Sequence, residues 1–262
     1  MNFFLTETNQ VMIVLAMVVP RFLTIMAVFP VFAKGFLPGM LRNSFAVSLC
    51  LILVPPLVLS VDAGQVETSS LPLIILKEVV VGFLLAFPLV IPFWAAEAIG
   101  AYIDNQRGAA MASSMDPLTG SETTPMGMLF TRAFATFFLA SGSFLLLLDF
   151  IYSSYSVWPV TEFFPTFSAD MAGVYLSMLD RLMWLTIVLS APIIIAMFLS
   201  ELALALVSRF APQLNVFFLA MPVKSAMGVF VLILYFPLLL TFLSDELHQL
   251  KGLMGNMGAV FE

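Results

Sequence analysis

Residues 199–230, LSELALALVSRFAPQLNVFFLAMPVKSAMGVF, form two long apolar segments joined by a short polar turn. Pro212 and Asn215 lie in this turn, where proline stops a helix and asparagine favours a reversal of the chain. The stretch therefore predicts an antiparallel helical hairpin. Glu201 and Lys224 lie in apolar sequence on either side of the turn. Because a charge at the centre of a bilayer costs about 2.5–3.5 kcal/mol on insertion scales, we expect both side chains to face protein or water.

The composition of the whole chain places it in the membrane class. Of 262 residues, 61% are hydrophobic and 10% are charged, whereas soluble domains have about 45–50% and 25%. The net charge of −6 leaves no basic field that would attract nucleic acid, so we expect no nucleic-acid partner. Cys50 and His248 are the single cysteine and the single histidine. Since neither has a second residue of its kind, we expect no internal disulfide, no metal site and no cofactor.

Six apolar segments follow one another along the chain, at residues 11–33, 44–60, 72–101, 126–153, 175–208 and 214–243. They predict an all-α, multi-pass membrane protein of about six kinked helical segments. The segments are unequal, because helices over 44–60 and 72–101 would measure about 25 and 45 Å against a hydrocarbon core of about 30 Å. Prolines inside these segments are expected to bend or break the helices; they are Pro88, Pro92, Pro192, Pro222 and Pro237.

The N-terminal residues and the loop charges predict a topology. Residues 1–15 lack the basic region of a secretory signal, so the first apolar segment is predicted to be a retained helix. With six spans, more basic residues fall on one side of the membrane than on the other, which places both termini outside the cytoplasm. The larger group is Lys34, Arg42, Arg107, Arg132 and Arg209, and the smaller is Lys77, Arg181 and Lys251.

A polar stretch, AYIDNQRGAAMASSMDPLTGSETTP at residues 101–125, interrupts the apolar sequence. Its many Gly, Ala and Ser residues allow close approach of the backbone, and Asp116-Pro117 is a turn signal. Such a segment cannot contact lipid, so it must line a water-filled cavity or be buried in protein. The alternative from the sequence alone is an ordinary solvated loop between two helices.

Two long motifs in this order resemble one protein family. GAYIDNQRGAAMASSMDP at residues 100–117 and SELALALVSRFAPQLNVFFLAMPVKS at residues 200–225 are similar to the FliR/SpaR/SctT family of type III secretion export-gate proteins. The similarity covers nearly the whole chain. Residues 34–55, KGFLPGMLRNSFAVSLCLILVP, look more like the virulence-associated injectisome branch than the flagellar one.

The resemblance implies a structural subunit without catalytic residues. Residues 1–262 would form one export-gate domain, with N-terminal helices over 1–153 that include a plug-like loop at 101–125, and a C-terminal hairpin over 175–243. It would lie in the bacterial inner membrane, within the basal body, and form part of a helical, protein-conducting channel for unfolded secreted polypeptides. The implied partners are SctR/FliP-type, SctS/FliQ-type, SctU/FlhB-type and SctV/FlhA-type subunits, besides membrane lipid.

The resemblance also implies a set of channel-plug residues in the polar stretch, namely Asp104, Gln106, Arg107, Gly108, Met111, Ala112, Met115, Asp116 and Pro117. Candidates for subunit contacts are the polar residues of the hairpin, Glu201, Arg209, Asn215 and Lys224. Arg209 lies eight residues after Glu201, too far for an i,i+4 pair, so the partner of Glu201 must come from elsewhere. We expect partner subunits to satisfy the embedded charges.

A secondary transporter or ion channel is the alternative function. Charges within or near apolar segments could serve such a protein, and they are Glu97, Asp104, Glu201, Arg209 and Lys224. No repeat relates the two halves of the chain, however, and no phosphate-binding loop motif is present.

Overall fold

A computed structural model describes residues 2–32, 37–60, 70–108, 114–115, 122–161, 171–211 and 216–260. These residues form helices α1 Asn2–Val28, α2 Gly39–Cys50, α3 Val54–Ser60, α4 Leu71–Gln106, α5 Pro125–Ala140, α6 Ser143–Val157, α7 Met171–Phe210 and α8 Val216–Val260. A short 3-10 helix covers Pro30–Phe32. Two strands of two residues each, Ser114–Met115 and Glu122–Thr123, pair in antiparallel fashion. The all-α class predicted from the sequence is confirmed.

Each of the six apolar segments is helical, but two of them are divided. The segment at 44–60 covers the second half of α2 and all of α3, and the segment at 126–153 covers nearly all of α5 and the greater part of α6. Four helices are therefore long and apolar enough to cross a membrane, at Gln10–Val28, Leu71–Gln106, Ala172–Phe210 and Leu219–Leu247. Counting α5 and α6 together as one span gives five.

Local chemistry explains where the two divided segments break. Pro55 and Pro56 cannot donate the backbone hydrogen bonds that would continue α2, and they lie instead in the first turn of α3, where those donors would be unpaired anyway. Gly142 separates α5 from α6 with φ of 75°. This left-handed conformation ends helices and is readily adopted by glycine.

The five prolines expected to bend or break helices do not end any of them. Pro88 and Pro92 lie inside the continuous helix α4, Pro192 inside α7, and Pro222 and Pro237 inside α8. The prediction that these prolines would break their helices is therefore wrong. Proline removes a single backbone donor, and the hydrogen bonds on both sides of it continue the helix in a membrane-class segment.

The chain folds as two compact units. Unit 1 comprises Met1–Val90, Gly142–Gly173 and Leu250–Glu262, and unit 2 comprises Ile91–Ser141 and Val174–Gln249. In unit 1, α1 packs against α2 and α3. The buried side chains of α1 recur every three or four residues, as one helical face requires, and include Val14, Val18, Phe22 and Ile25.

Aromatic side chains form much of the core of unit 2. Phe130, Phe134 and Phe138 lie four residues apart and share one face of α5. The Phe93 ring of α4 lies 4.7 Å from the Phe134 ring and 5.4 Å from the Phe138 ring, measured between centroids. The Phe130 ring contacts the Phe236 ring of α8 edge-on at 5.5 Å. These contacts fix the position of α5 against α4 and α8.

Helices α7 and α8 leave most of their apolar surface uncovered. Only 28% of the most apolar window of α7 and 22% of that of α8 are buried, compared with 61% for α4. Large side chains such as Trp184, Ile195, Phe230 and Leu234 are exposed. A soluble protein rarely exposes so much contiguous apolar surface, so this surface is built to contact lipid or other apolar protein.

Candidate functional site

The Asp104 side chain joins the end of α4 to the beginning of α5. It is fully buried. One carboxylate oxygen accepts a hydrogen bond from Arg107 Nε at 2.7 Å, and the other accepts one from the backbone N–H of Met126 at 2.7 Å. Met126 lies in the first turn of α5, whose N–H groups lack partners within the helix and favour a negative charge. Asp104 therefore holds the two ends of the polar stretch together.

Two glycines let the helices approach closely at this point. A Cβ atom on Gly100 would lie 2.5 Å from the backbone oxygen of Met126 and 2.6 Å from the backbone nitrogen of Gly127. On the α5 side, the Thr124 hydroxyl caps the helix by accepting a hydrogen bond from the N–H of Gly127 at 3.2 Å. The backbones of α4 and α5 thus meet without intervening side chains.

The beginning of the polar loop also contacts α8. Arg107 Nη1 donates a hydrogen bond to Ser225 Oγ at 3.4 Å. Gly108 has φ of 80°, and a Cβ atom there would lie 3.6 Å from the Cε atom of Met221. The start of the loop therefore lies beside the first turns of α8. Its contact residue Ser225 directly follows Lys224 in the sequence.

The loop is shorter than the predicted 101–125. Residues 101–106 belong to α4, so Asp104 and Gln106 are helical, and Gln106 is half-buried. The helix extends this far because the Asp104 carboxylate finds its partners in Arg107 and α5. Ser114 pairs with Thr123 and Met115 with Glu122, so the chain folds back on itself. The remaining predicted plug residues, Met111, Ala112, Asp116 and Pro117, lie outside the described residues.

The predicted hairpin is confirmed by two ion pairs between α7 and α8. Glu201 Oε2 lies 2.6 Å from Lys224 Nζ, and the Arg181 guanidinium donates two hydrogen bonds of 2.8 Å to the Glu246 carboxylate. The expectation that only partner subunits could satisfy Glu201 and Lys224 is wrong, because packing of the two helices brings the two side chains together. Arg209 is exposed in the last turn of α7, where the helix dipole favours a cation, and Asn215 lies outside the described residues.

Charge reversal tests the Glu201–Lys224 pair. Glu201→Lys or Lys224→Glu alone places like charges against each other, and we expect each variant to assemble poorly and to be more sensitive to protease. The double reversal restores the attraction and should recover most of the parent's protease resistance. Arg209→Glu is the control, because Arg209 makes no ion pair with the described residues. Equal behaviour of the single and double reversals would contradict a direct pair.

A buried charge cluster in unit 1, formed by Arg21, Lys77 and Glu78, was not predicted from the sequence. The Arg21 guanidinium of α1 donates to both carboxylate oxygens of Glu78 on α4, at 2.6 and 3.1 Å. Lys77 Nζ lies 2.8 Å from Glu78 Oε1. Arg21 and Glu78 are fully buried, and Arg21 also lies over the Tyr155 ring at 4.0 Å. The available signal was the presence of charges inside apolar segments.

Both cations of this cluster also hold the chain that follows α6. Arg21 Nη2 donates to the backbone oxygen of Trp158 at 3.0 Å, and Lys77 Nζ donates to that of Val160 at 3.0 Å. Lys77 and Arg181 were counted as loop charges in the orientation argument. They instead lie within α4 and α7 and pair with carboxylates. These two residues are therefore not loop charges, and the orientation stays a prediction.

The fold defines a multi-pass, all-helical membrane protein whose buried charged residues, among those that the structure describes, are engaged in contacts between helices. Among the residues that the structure describes, no group of three or more His, Cys, Asp or Glu side chains could hold a metal ion. The family described as "Bacterial export proteins, family 1" matches residues 12–250. The chain belongs to this family, the FliR/SpaR/SctT family, and to its injectisome branch.

Curated relatives agree with this assignment. The chain is 44% identical over 220 residues to the Yop proteins translocation protein T of Yersinia pestis, covering 84% of each chain. It is 34% identical over 203 residues to the surface presentation of antigens protein SpaR of Shigella flexneri, covering 75% of this chain and 78% of that protein. The flagellar biosynthetic protein FliR of Bacillus subtilis is 31% identical over 209 residues, with 78% of each chain covered.

Proposed function

We propose that this chain is a structural subunit of the type III secretion export gate and forms part of the channel through which unfolded polypeptides cross the bacterial inner membrane. The polar loop that follows α4 would close this channel. The proposal includes assembly with SctR-, SctS-, SctU- and SctV-type subunits within the basal body. Membership of the export-protein family and the names of the relatives support a role in secretion.

One observation supports the proposed role of the loop in closing the channel. Asp104 binds both Arg107 and the first turn of α5, so the two ends of the loop are held together at a buried point. The sequence between them, from Ala109 to Ser121, consists largely of small and polar residues. A segment with fixed ends and small side chains can fill a narrow passage and be displaced without unfolding the helices that carry it.

The charges within or near the apolar segments support a transporter that works alone less than they support the export gate. Asp104, Glu201 and Lys224 are neutralised by partners within the chain. Glu97 and Arg209 form no ion pair with the described residues. Transport of a small solute by the purified chain alone in liposomes would support this alternative, whereas stable copurification with two smaller multi-pass proteins would support the export gate.

Shortening the loop tests the plug. We expect deletion of Ala109 to Ser113 to leave the size of the purified complex unchanged while raising its resting conductance in a planar bilayer, because the deletion leaves α4 and α5 intact. Ala112→Phe should instead impair opening of the channel. Extra volume in a closely packed plug cannot be accommodated, so secretion should fall at unchanged resting conductance.

The matched control is a deletion of equal length at residues 63–67, in the polar stretch between α3 and α4. This deletion should leave the resting conductance at the parent's level. If the complex lacking Ala109 to Ser113 assembles normally and conducts no more than the parent, the loop does not close the channel.

A further inference from the structure

Helix α5 has one covered face and one uncovered face. Its phenylalanine side chains at every fourth position pack against α4 and α8. Exposed residues at intervals of three or four positions form the opposite side, the Arg132 face; they are Leu129, Arg132, Thr136 and Leu139. Leu129 and Leu139 keep 49% and 52% of their surface exposed. The described part of the chain therefore leaves the Arg132 face open to its surroundings.

Arg132 is the single charged residue of α5. Its side chain forms no ion pair or hydrogen bond with the residues that the structure describes, and this includes Glu97 on the neighbouring helix α4. Two threonine side chains of α5 are satisfied within the helix, since the Thr131 hydroxyl donates to the backbone oxygen of Gly127 and the Thr136 hydroxyl to that of Arg132, each at 2.9 Å. On the Arg132 face, the guanidinium is thus the polar group that requires a partner from elsewhere.

The position of Arg132 suits neither lipid nor water alone. Arg132 was counted among the loop charges in the orientation argument, but it is the eighth of the sixteen residues of α5. At about 1.5 Å per residue, it lies about 11–12 Å from either end of the helix. A charge in the middle of an apolar helix is costly in hydrocarbon, whereas water would leave the leucines beside it exposed. An apolar protein surface that offers an opposite charge meets both requirements.

We infer that the Arg132 face of α5 is an interface, and that an apolar helix of another export-gate subunit binds it with a carboxylate opposite Arg132. A carboxylate is the complement of a guanidinium, because it accepts two parallel hydrogen bonds from it. The leucines on both sides of Arg132 would pack against apolar side chains and exclude water from the pair. The inference rests on the proposed export-gate function and assigns one contact surface within that assembly.

Substitutions of Arg132 distinguish a carboxylate from lipid. Arg132→Leu suits hydrocarbon, so a helix that faces lipid should assemble at least as well with leucine as with arginine. Opposite a carboxylate, the same change leaves an anion buried without its cation. We expect Arg132→Leu and Arg132→Glu each to lower the amount of SctR-type and SctS-type subunit that copurifies with the full chain by about tenfold or more. Arg132→Lys keeps the charge and should lose much less.

The matched control is Arg209→Glu, which makes the same change of charge at an exposed residue in the last turn of α7. This variant should copurify with the partner subunits at the parent's level. The melting temperature of the Arg132 variants in detergent should match that of the parent, because the Arg132 side chain makes no ion pair or hydrogen bond with the described residues. The loss then lies in assembly and not in folding.

Photocrosslinking identifies the bound helix and its carboxylate. Benzoylphenylalanine replaces Leu129 or Leu139 in the full chain, which is coexpressed with SctR-type and SctS-type subunits, and mass spectrometry locates the crosslinked residue. We expect an adduct with an apolar helix of one of these subunits, with an Asp or Glu within one turn of the crosslinked position. Changing that acidic residue to Arg, together with Arg132→Glu, should restore copurification to near the parent's level.

Adducts with lipid alone or within this chain would overturn the inference, as would a crosslinked helix without a nearby carboxylate. An Arg132→Leu variant that copurifies like the parent, or a double reversal that restores nothing, would also overturn it. Failure of the proposed function gives a different result. The parent chain would then not copurify with these subunits at all, and the inference would fail with it.

Discussion

Replacing Glu78 by alanine is expected to destabilise the protein by about 3–5 kcal/mol. Glu78 lies between Arg21 and Lys77, and all three residues are buried. Without the carboxylate, Arg21 and Lys77 both lose their ion pair with Glu78, and the main cost comes from the positive charge of Arg21 left buried in the core of unit 1. The measurement is the free energy of unfolding in denaturant, or the melting temperature, of the purified chain in mild detergent.

Asp149→Ala is the matched control for this variant, because Asp149 is an exposed carboxylate on α6 of the same unit. It should change the free energy of unfolding little. A triple variant, Arg21→Met with Lys77→Met and Glu78→Met, removes all the charges together and should recover much of the lost stability, since apolar replacement of a buried ion cluster is often neutral. If Glu78→Ala were as mild as Asp149→Ala, the cluster would not be a buried ion network.

Gly100→Ala is expected to have the second large effect. The new methyl group would lie 2.5 Å from the backbone oxygen of Met126, so α4 and α5 must move apart. Overpacking of this kind costs about 1–3 kcal/mol. The movement should also weaken the hydrogen bond from Met126 to Asp104 that holds the base of the loop. We therefore expect a lower melting temperature together with a raised resting conductance of the assembled complex.

Gly173→Ala is the control, because Gly173 is helical and a Cβ atom there would meet nothing within 4 Å. It should stabilise the protein slightly, as alanine favours the helix more than glycine does. A Gly100→Ala variant that melts and conducts like the parent would show that α4 and α5 can separate at no cost. The loop would then not depend on their close contact.

The sequence by itself determined the class of the protein, its helical segments and its family. Apolar runs longer than a bilayer core and the Pro212 and Asn215 turn signals act locally, so the helices and the α7–α8 hairpin could be predicted without knowledge of their neighbours. The local effect of proline was overestimated. Prolines break these helices where they occur as the Pro55 and Pro56 pair and not where they occur singly.

Only the tertiary structure decided how the charges are paired. Arg21 and Glu78 are separated by 57 positions in the sequence, and Arg181 and Glu246 by 65, so no helical spacing could link them. The partner of Glu201 likewise comes from the facing helix, across the turn of the hairpin. Ion pairing depends on atoms that approach within about 4 Å, a condition set by the packing of whole helices and not by the neighbours of a residue along the chain.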